Sequence, residues 1–259
     1  MSDISLAGVG VLVTRPSHQA AELSAAIEAA GGHTVLFPAI EIAPRSPQDV
    51  EEEVAGLVDP DIVIFISSNA VEHGLTWSGN GAIAAVGPAT AAAIEAAARI
   101  VDIRPASGYD SESLLEEPAL NDVDGKTIRI VRGNSGRELL ANTLRERGAS
   151  VDYLPVYARR VPEYSDDDVA ALTRRWRDGD IDIVTVMSVE SLRNLVSLLP
   201  ESCRALLAKT PLVTPASRVI KEAIDRLPGC PATLAAGPGA DEMLRAMATL
   251  GPHTSGQNS

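Results

Sequence analysis

Hydroxyl, amide and guanidinium side chains follow several apolar runs of this chain, where a strand would give way to a helix. Such turns present the free N–H groups of a helix N-terminus, which bind anions together with small polar side chains. Each side chain alone is also an ordinary helix cap, so both interpretations stay open. The residues concerned are Thr14, Arg15, Ser67, Ser68, Asn69, Thr90, Arg132, Gly133, Asn134, Ser135, Gly136, Ser188, Ser217 and Arg218.

The familiar signatures of nucleotide-binding, metal-dependent and serine-nucleophile enzymes are missing from the sequence. It contains no P-loop, no G-x-G-x-x-G at a strand end, no H-E-x-x-H and no G-x-S-x-G. The four histidines are scattered, and Cys203 and Cys230 lack metal-ligand spacing. We therefore expect neither a metal ion nor a cofactor.

The charge of the chain is strongly acidic. Its formal net charge is −13, and only Lys126, Lys209 and Lys221 are lysines among 22 basic residues. This composition disfavours general nucleic-acid binding, which needs a basic stripe. No apolar stretch is long enough to span a bilayer. We expect a cytoplasmic protein with no membrane contact, and a monomer.

The sequence contains an internal duplication. Arg15, Gly31 and Pro38 return 117 residues later as Arg132, Gly148 and Pro155. A second block that begins with Asp61 and contains Ser67 returns at 182 and 188, shifted by 121 residues. Duplicated domains accumulate insertions in loops, which explains the growing offset. The length accommodates two units of roughly 120 residues, a usual domain size.

Alternating strand and helix patterns predict the fold class. The continuous apolar runs at 62–66 and 183–187 are typical of parallel strands covered on both faces. Helical stripes follow the strands and end at glycines such as Gly31. The order predicts doubly wound α/β architecture with ligands at the carboxyl ends of the strands.

Two extended segments bracketed by prolines stand apart from this pattern. They occupy residues 38–44 and 155–162, which are matching places in the two copies. We expect them to pair as a two-stranded hinge. The polar residues at the end of the chain, 253–259, are expected to be disordered.

The order of these motifs resembles that of the uroporphyrinogen-III synthase family, over nearly the whole chain from Gly8 to about Leu250. Each motif is weak alone, but their order and duplication are specific. The resemblance rests on Leu12-Val-Thr-Arg-Pro-Ser-His-Gln-Ala20, the run Ile-Ser-Ser-Asn-Ala-Val at 66–71, Ala85-Val-Gly-Pro-Ala-Thr90, Arg132-Gly133 and Pro155-Val-Tyr157.

The resemblance implies a cofactor-free lyase of tetrapyrrole biosynthesis, the route to haem, sirohaem and cobalamin. It would cyclise hydroxymethylbilane to uroporphyrinogen III, with loss of water and inversion of the last ring. Tyr157 matches the family tyrosine proposed to assist the departure of the hydroxyl group. A packing tyrosine with a satisfied hydroxyl is the alternative. The resemblance also implies transient contact with hydroxymethylbilane synthase, which makes the unstable substrate.

The resemblance further implies roles for the turn residues. Carboxylates of the substrate would be bound by Arg15, Ser67, Ser68, Asn69, Thr90, Arg132, Ser188, Ser217 and Arg218. Val189-Glu190 and Thr214 depart from the family pattern, and a carboxylate at 190 facing the substrate would repel it. The assignments in the C-terminal part are therefore less direct.

The resemblance implies two flavodoxin-like doubly wound parallel-sheet domains joined by a two-stranded linker. Domain 1 would comprise 1–37 plus 163–252, domain 2 would comprise 44–154, and 38–43 and 155–162 would link them. A non-catalytic two-lobe protein that binds or senses an anionic ligand is the alternative function.

Overall fold

The structure is a computed structural model, and it describes residues 4–108, 110–134, 136 and 138–250. The chain divides into two compact units. The first unit comprises Met1–Glu41 and Val161–Ser259, and the second comprises Ile42–Arg160. The end of the chain that we expect to be disordered, 253–259, lies outside the described residues.

Strands and helices alternate along most of the described chain. The strands are β1 (Gly10–Val13), β2 (His33–Leu36), β3 (Glu41–Pro44), β4 (Ile62–Phe65), β5 (Ala82–Ala85), β6 (Thr127–Gly133), β7 (Ser150–Arg160), β8 (Ile183–Thr185), β9 (Leu212–Thr214) and β10 (Ala232–Leu234). The helices are α1 (Ser17–Ala29), α2 (Pro47–Ala55), α3 (Ser68–Gly74), α4 (Pro88–Ala96), α5 (Ser111–Leu115), α6 (Leu139–Glu146), α7 (Asp166–Arg177), α8 (Val189–Leu198), α9 (Glu201–Leu207), α10 (Ser217–Arg226) and α11 (Ala240–Ala248). Short 3-10 turns occupy Leu75–Trp77 and Pro118–Leu120.

The first unit contains a parallel sheet with the strand order β10-β9-β8-β1-β2. Successive side chains along each strand point to opposite faces of this sheet. Leu12 and Val184 belong to one apolar cluster, which α7, α8, α9 and α10 help to form. Val11 and Ile183 belong to a second cluster with residues of α1 and α11. The sheet is therefore covered on both faces, as its apolar sequence predicts.

The second unit contains a sheet with the strand order β3-β7-β6-β4-β5. Four neighbouring strands of this sheet, β5, β4, β6 and β7, pair in parallel. Ile64 and Ile130 lie in one apolar cluster, and Phe65 and Val131 lie in another. Both units are thus α/β with parallel sheets, which confirms the expected fold class at that level.

Strands from the two proline-bracketed segments are neighbours in the second sheet. β3 lies beside β7 at the edge of this sheet, and Arg45 donates its backbone N–H to the carbonyl of Val156 at 3.0 Å. Residues 155–160, which the sequence assigns to a linker, continue β7 within the second unit. Burial explains the extension, because Val156 and Tyr157 are packed in an apolar cluster of the sheet.

The duplication is visible in a pair of equivalent hydrogen bonds, in which an aspartate before one strand accepts a backbone N–H of the neighbouring strand. Asp61 precedes β4, and its Oδ2 accepts the N–H of Thr127 at 2.8 Å. Asp182, its counterpart 121 residues on, accepts the N–H of Gly10 at 2.8 Å before β8. Each carboxylate therefore joins the amino ends of two neighbouring strands in its own unit.

No helix among the described residues is both long and apolar enough to cross a membrane.

One cation lies deep within the second unit. Arg129 on β6 is 1 % exposed. Its Nη2 donates to the carbonyl of Val58 at 2.8 Å, while its buried Nε has no hydrogen-bond partner in the described part of the chain. No described carboxylate lies within ion-pair distance of it. Desolvation of this guanidinium is therefore only partly offset.

We expect Arg129→Met to raise the free energy of unfolding by about 1–3 kcal/mol, because an apolar side chain of similar length removes the buried charge. Denaturant unfolding of the purified variant measures the change. Arg99→Met, at an exposed arginine of the same unit, should stay within about 0.5 kcal/mol of the wild type. A loss of stability in Arg129→Met larger than that of Arg99→Met would contradict the interpretation.

Candidate functional site

Tyr157 is a buried residue of β7 whose hydroxyl reaches the end of the neighbouring strands. The residue is 4 % exposed and packs in an apolar cluster of the second unit. Its hydroxyl lies 3.2 Å from Ser67 Oγ, and either oxygen is able to donate the hydrogen. The ring of His73 on α3 lies 6.1 Å from the Tyr157 ring, centroid to centroid. The phenol is thus held with its one polar atom at the β4–α3 turn.

Ser67 begins helix α3 at the carboxyl end of β4. Its Oγ accepts the N–H of Ala70 at 3.1 Å, so it caps the helix as the sequence predicts. The same oxygen also contacts the Tyr157 hydroxyl. Ser68 and Asn69 are half-buried in the first turn of α3. The structure therefore brings four predicted residues together, namely Tyr157, Ser67, Ser68 and Asn69.

Gly133 explains how the Tyr157 ring comes so close to β6. The ladder between β6 and β7 is irregular at Arg132 and Gly133, where Gly133 lies opposite Tyr157. A Cβ atom at 133 would lie only 2.7 Å from Cε2 and 2.9 Å from Cζ of Tyr157. Only glycine allows this approach without a shift of the ring.

Arg132 lies at the carboxyl end of β6 and is held by two neighbours. Its Nη1 donates to Oε1 of Glu138 at 3.1 Å. Its guanidinium lies over the Tyr153 ring, 4.5 Å from the centroid, and the Tyr153 hydroxyl donates to the other oxygen of Glu138. Arg132 is therefore an ion-paired, stacked cation in this structure.

The two partners of Arg132 have shifted acidities. Hydrogen bonds from Tyr153 and then from Arg132 lower the pKa of the Glu138 carboxyl. Burial, followed by the Glu138 hydrogen bond, raises the pKa of the Tyr153 phenol. Glu138 is thus held as a carboxylate and Tyr153 as a neutral phenol.

Two cavities of the second unit share Arg132 as a wall. One has a volume of about 280 Å³ and lies at the ends of β4, β5 and β6. The other has a volume of about 330 Å³ and lies on the side of Glu138 and Tyr153. Thr90 lies in the first turn of α4, which follows β5, but its side chain is buried at 4 % exposure.

Arg15 marks the corresponding strand end of the first unit. Its Nη2 donates to the carbonyl of Pro238 at 2.5 Å, while its Nε is buried and has no partner among the described residues. Burial lowers the pKa of the guanidinium, and Glu22 acts in the opposite direction. This arginine is tied to the turn that follows β10.

Ser188 repeats the arrangement of Ser67 in the first unit. Its Oγ accepts the N–H of Ser191 at 3.1 Å and caps α8. Glu190, in the first turn of this helix, is exposed. Ser217 and Arg218 begin α10 and are exposed. Ser188, Ser217 and Arg218 therefore lie at strand-to-helix turns, as expected.

Sequence reasoning missed Glu138, Tyr153 and the contact of Gly133 with Tyr157. The glycine directly after Arg132 at a strand end was an available signal of close approach. No sequence pattern indicated Glu138 or Tyr153, because their pairing with Arg132 depends on the placement of β7 and α6.

No group of three or more histidine, cysteine or carboxylate side chains that would hold a metal ion occurs in the described ranges.

Comparison with known proteins identifies the family. Residues 21–245 match the family model described as "Uroporphyrinogen-III synthase HemD". The chain is 33% identical over 203 residues to "Uroporphyrinogen-III synthase" of Escherichia coli K12, covering 74% of this chain and 81% of the relative. The resemblance inferred from the motifs is therefore confirmed.

Two solved structures share the fold. "Uroporphyrinogen-III synthetase" from Helicobacter pylori 26695 matches with a TM-score of 0.62 at 14% identity, over 93% of this chain and 99% of that one. A mutant uroporphyrinogen III synthase from the extremely thermophilic bacterium Thermus thermophilus matches with a TM-score of 0.57 at 20% identity, over 93% of this chain and 100% of that one. At these identities the two structures bear on the fold alone. From the sequence matches, the chain belongs to the uroporphyrinogen-III synthase family.

Proposed function

We propose that this chain is a cyclising lyase of tetrapyrrole biosynthesis that converts hydroxymethylbilane to uroporphyrinogen III and water, with inversion of the last pyrrole ring. The family membership supports the reaction. The observation that carries the local chemistry is the Tyr157 hydroxyl, held against Ser67 at the carboxyl ends of the second sheet. Ligands of parallel α/β sheets bind at this edge.

Little acid–base chemistry is needed for this reaction. The ring nitrogen of a hydroxymethylpyrrole pushes electrons towards the departing C–O bond, so hydroxide leaves readily and an azafulvenium cation remains. The substituted carbon of the last ring then attacks through a spiro intermediate. The larger contribution of the protein to catalysis is to hold the linear tetrapyrrole in the folded conformation that this attack requires.

Tyr157 is the proposed general acid for departure of the hydroxyl group. Its phenol would donate a proton to the leaving oxygen, which departs as water, and the proton that the substrate loses when the macrocycle closes would restore the phenol. Ser67 holds the phenol oxygen in place from the helix cap, and the oxygen of Ser67 is itself fixed by the N–H of Ala70. The phenol is therefore oriented before substrate binds, which supports a positioning type of catalysis.

The carboxylates of the substrate are proposed to bind at the strand-to-helix turns of both units. The contacts are Arg15, Ser67, Ser68, Asn69, Thr90, Arg132, Ser188, Ser217 and Arg218. The buried position of Thr90 favours its backbone over its side chain as the contact. Guanidinium groups bind carboxylates through paired hydrogen bonds.

We propose that each unit is a flavodoxin-like doubly wound domain. When the five strands of the first unit are renumbered 1 to 5 in chain order, their order in the sheet is 2-1-3-4-5, which is the flavodoxin type. We retain the domain ranges 1–37 plus 163–252 and 44–154, with 38–43 and 155–162 as a two-stranded linker. The neighbouring strands β3 and β7 support the pairing of these segments.

The proposed setting is a cytoplasmic monomer. Hydroxymethylbilane closes spontaneously to the uninverted isomer, so rapid transfer from hydroxymethylbilane synthase would favour a transient contact between the two enzymes. The proposal includes no nucleic-acid, membrane or cofactor partner.

The reaction is tested by incubating freshly generated hydroxymethylbilane with the protein. After oxidation, chromatography separates the type I and type III porphyrins. We expect an excess of type III over a protein-free control. Type I alone would overturn the proposed function and favour a ligand-binding protein without turnover.

We expect Tyr157→Phe to lower the rate of cyclisation by about 10- to 100-fold with little change in KM, because a general acid acts in the transition state. Initial rates of type III formation measure the effect. Tyr164→Phe, which removes a hydroxyl bonded to the carbonyl of Pro38 in the first unit, is the matched control and should keep the rate. An unchanged rate in Tyr157→Phe would rule out the acid role.

Gly133→Ala should also lower the rate, because its Cβ displaces the Tyr157 ring and separates the hydroxyl from Ser67. The expected loss is about tenfold, accompanied by a loss of about 1–3 kcal/mol in stability from overpacking. Gly56→Ala, whose Cβ would meet only ordinary contacts, serves as the control.

The double variant Gly133→Ala/Tyr157→Phe should be no slower than Tyr157→Phe alone, since both changes remove the same proton donor. A fully additive loss of rate in this variant would show that Gly133 acts independently of Tyr157.

A further inference from the structure

Arg132 is a buried cation that is paired with an anion in this structure. Its side chain is only 7% exposed. A guanidinium in that environment is costly without a negative partner. In this structure Glu138 supplies the partner, with its Oε1 3.1 Å from Nη1.

Glu138 is much more exposed to solvent than Arg132, so its side chain is able to move away from the ion pair. Its side chain is 55% exposed, and it stands at the residue before α6 begins. The Tyr153 hydroxyl is its second hydrogen-bond partner. Because a half-exposed carboxylate regains water when it departs, breaking this pair costs little if another anion takes its place.

The guanidinium of Arg132 also lines the cavity of about 280 Å³ at the strand ends. The remaining wall is mostly apolar and is formed by Ile66, Val86, Ile130, Leu140, Asp110 and Ser111. The Oδ1 of Asp110 is bonded to the N–H of Ser113 at 2.9 Å and to its hydroxyl at 2.6 Å. A flat apolar ring that carries a carboxylate fits this combination of wall and cation.

We propose that Glu138 is an internal stand-in for a substrate carboxylate: it neutralises Arg132 in the free protein and is displaced when an acetate or propionate group binds there. The inference rests on the proposed function and deepens it. Each binding event exchanges one carboxylate for another at Arg132. A simple monocarboxylate therefore gains little, whereas a polyacid with contacts elsewhere displaces Glu138.

Glu138 is a specificity-determining residue in this scheme, and its effect is on binding rather than on the chemical step. In Glu138→Gln the competing charge is lost while the shape of the side chain is kept. We expect KM for hydroxymethylbilane to fall by about 3- to 5-fold, with kcat changed by less than about twofold. Initial rates of type III formation give both constants.

Glu146→Gln is the matched control, because Glu146 lies at the other end of α6, is exposed and carries the same charge. It should leave KM unchanged. Equal falls of KM in both variants would show a general effect of net charge and overturn the proposal. An unchanged or raised KM in Glu138→Gln would overturn it too, because Glu138 would then hold Arg132 in place or have no role in binding.

A binding experiment separates this inference from the proposed function. Uroporphyrin III, a stable octacarboxylate, is titrated into each protein and its fluorescence is followed. The affinity should rise by the same factor of about 3 to 5 in Glu138→Gln and stay constant in Glu146→Gln. Lack of type III formation by the wild type would overturn the function, whereas equal uroporphyrin affinities of the wild type and Glu138→Gln would overturn the stand-in role.

A spectroscopic readout checks that the variant alters the intended contact. The Glu138 hydrogen bond is one cause of the raised pKa of the Tyr153 phenol. Ultraviolet titration of Glu138→Gln, corrected with Tyr153→Phe, should therefore show this phenol ionising at lower pH than in the wild type. An unchanged titration would mean that the contact between Glu138 and Tyr153 is absent in solution, which would overturn the proposal.

Discussion

Strands covered by apolar side chains on both faces carry their polar groups mainly at the two ends of the sheet, and the buried Arg129 within β6 is an exception. In both units the central strands are buried throughout, as in Val11, Leu12 and Val13 of β1. The amino ends are fastened by Asp61 and Asp182, which bond to backbone N–H groups of the next strand. The carboxyl ends therefore carry the hydroxyls and guanidiniums, and every proposed contact follows from this constraint.

Two arginines at equivalent strand ends place cations on a chain that is acidic overall. Arg15 and Arg132 occupy the same place in the duplication, at the ends of β1 and β6. Both are at least partly desolvated, and each is held by an acceptor of its own unit, the Pro238 carbonyl or the Glu138 carboxylate. Local cations thus coexist with a net charge of −13, because each is fixed at a strand end by contacts within its own unit.

Short-range features of the site were predictable from the sequence. Ser67 and Ser188 cap α3 and α8 because a serine before a helical run accepts the N–H three residues on. The buried strands were predictable from their apolar runs, and the duplication indicated that the same features recur. Family resemblance supplied Tyr157, whose type and position had no local signal of chemistry.

Long-range contacts were not predictable in the same way. The Tyr157 hydroxyl meets Ser67 across 90 residues, and the prolines around residues 155–162 gave no sign that β7 runs on to Arg160. Burial of Val156 and Tyr157 extends that strand, an effect that only tertiary packing decides. The network of Arg132, Glu138 and Tyr153 likewise combines a strand end, a helix start and a neighbouring strand.

The route of the chain through the two units sets the order in which they become complete during synthesis. The second unit is one continuous stretch, Ile42–Arg160, whereas β1 of the first unit pairs with β8, and Val11 lies opposite Ile183. When the ribosome has delivered all of the inner stretch, the outer unit still lacks three of its five strands. Until the later part emerges, β1 therefore has β2 but not β8 to pair with, and an unpaired apolar strand edge is prone to aggregation.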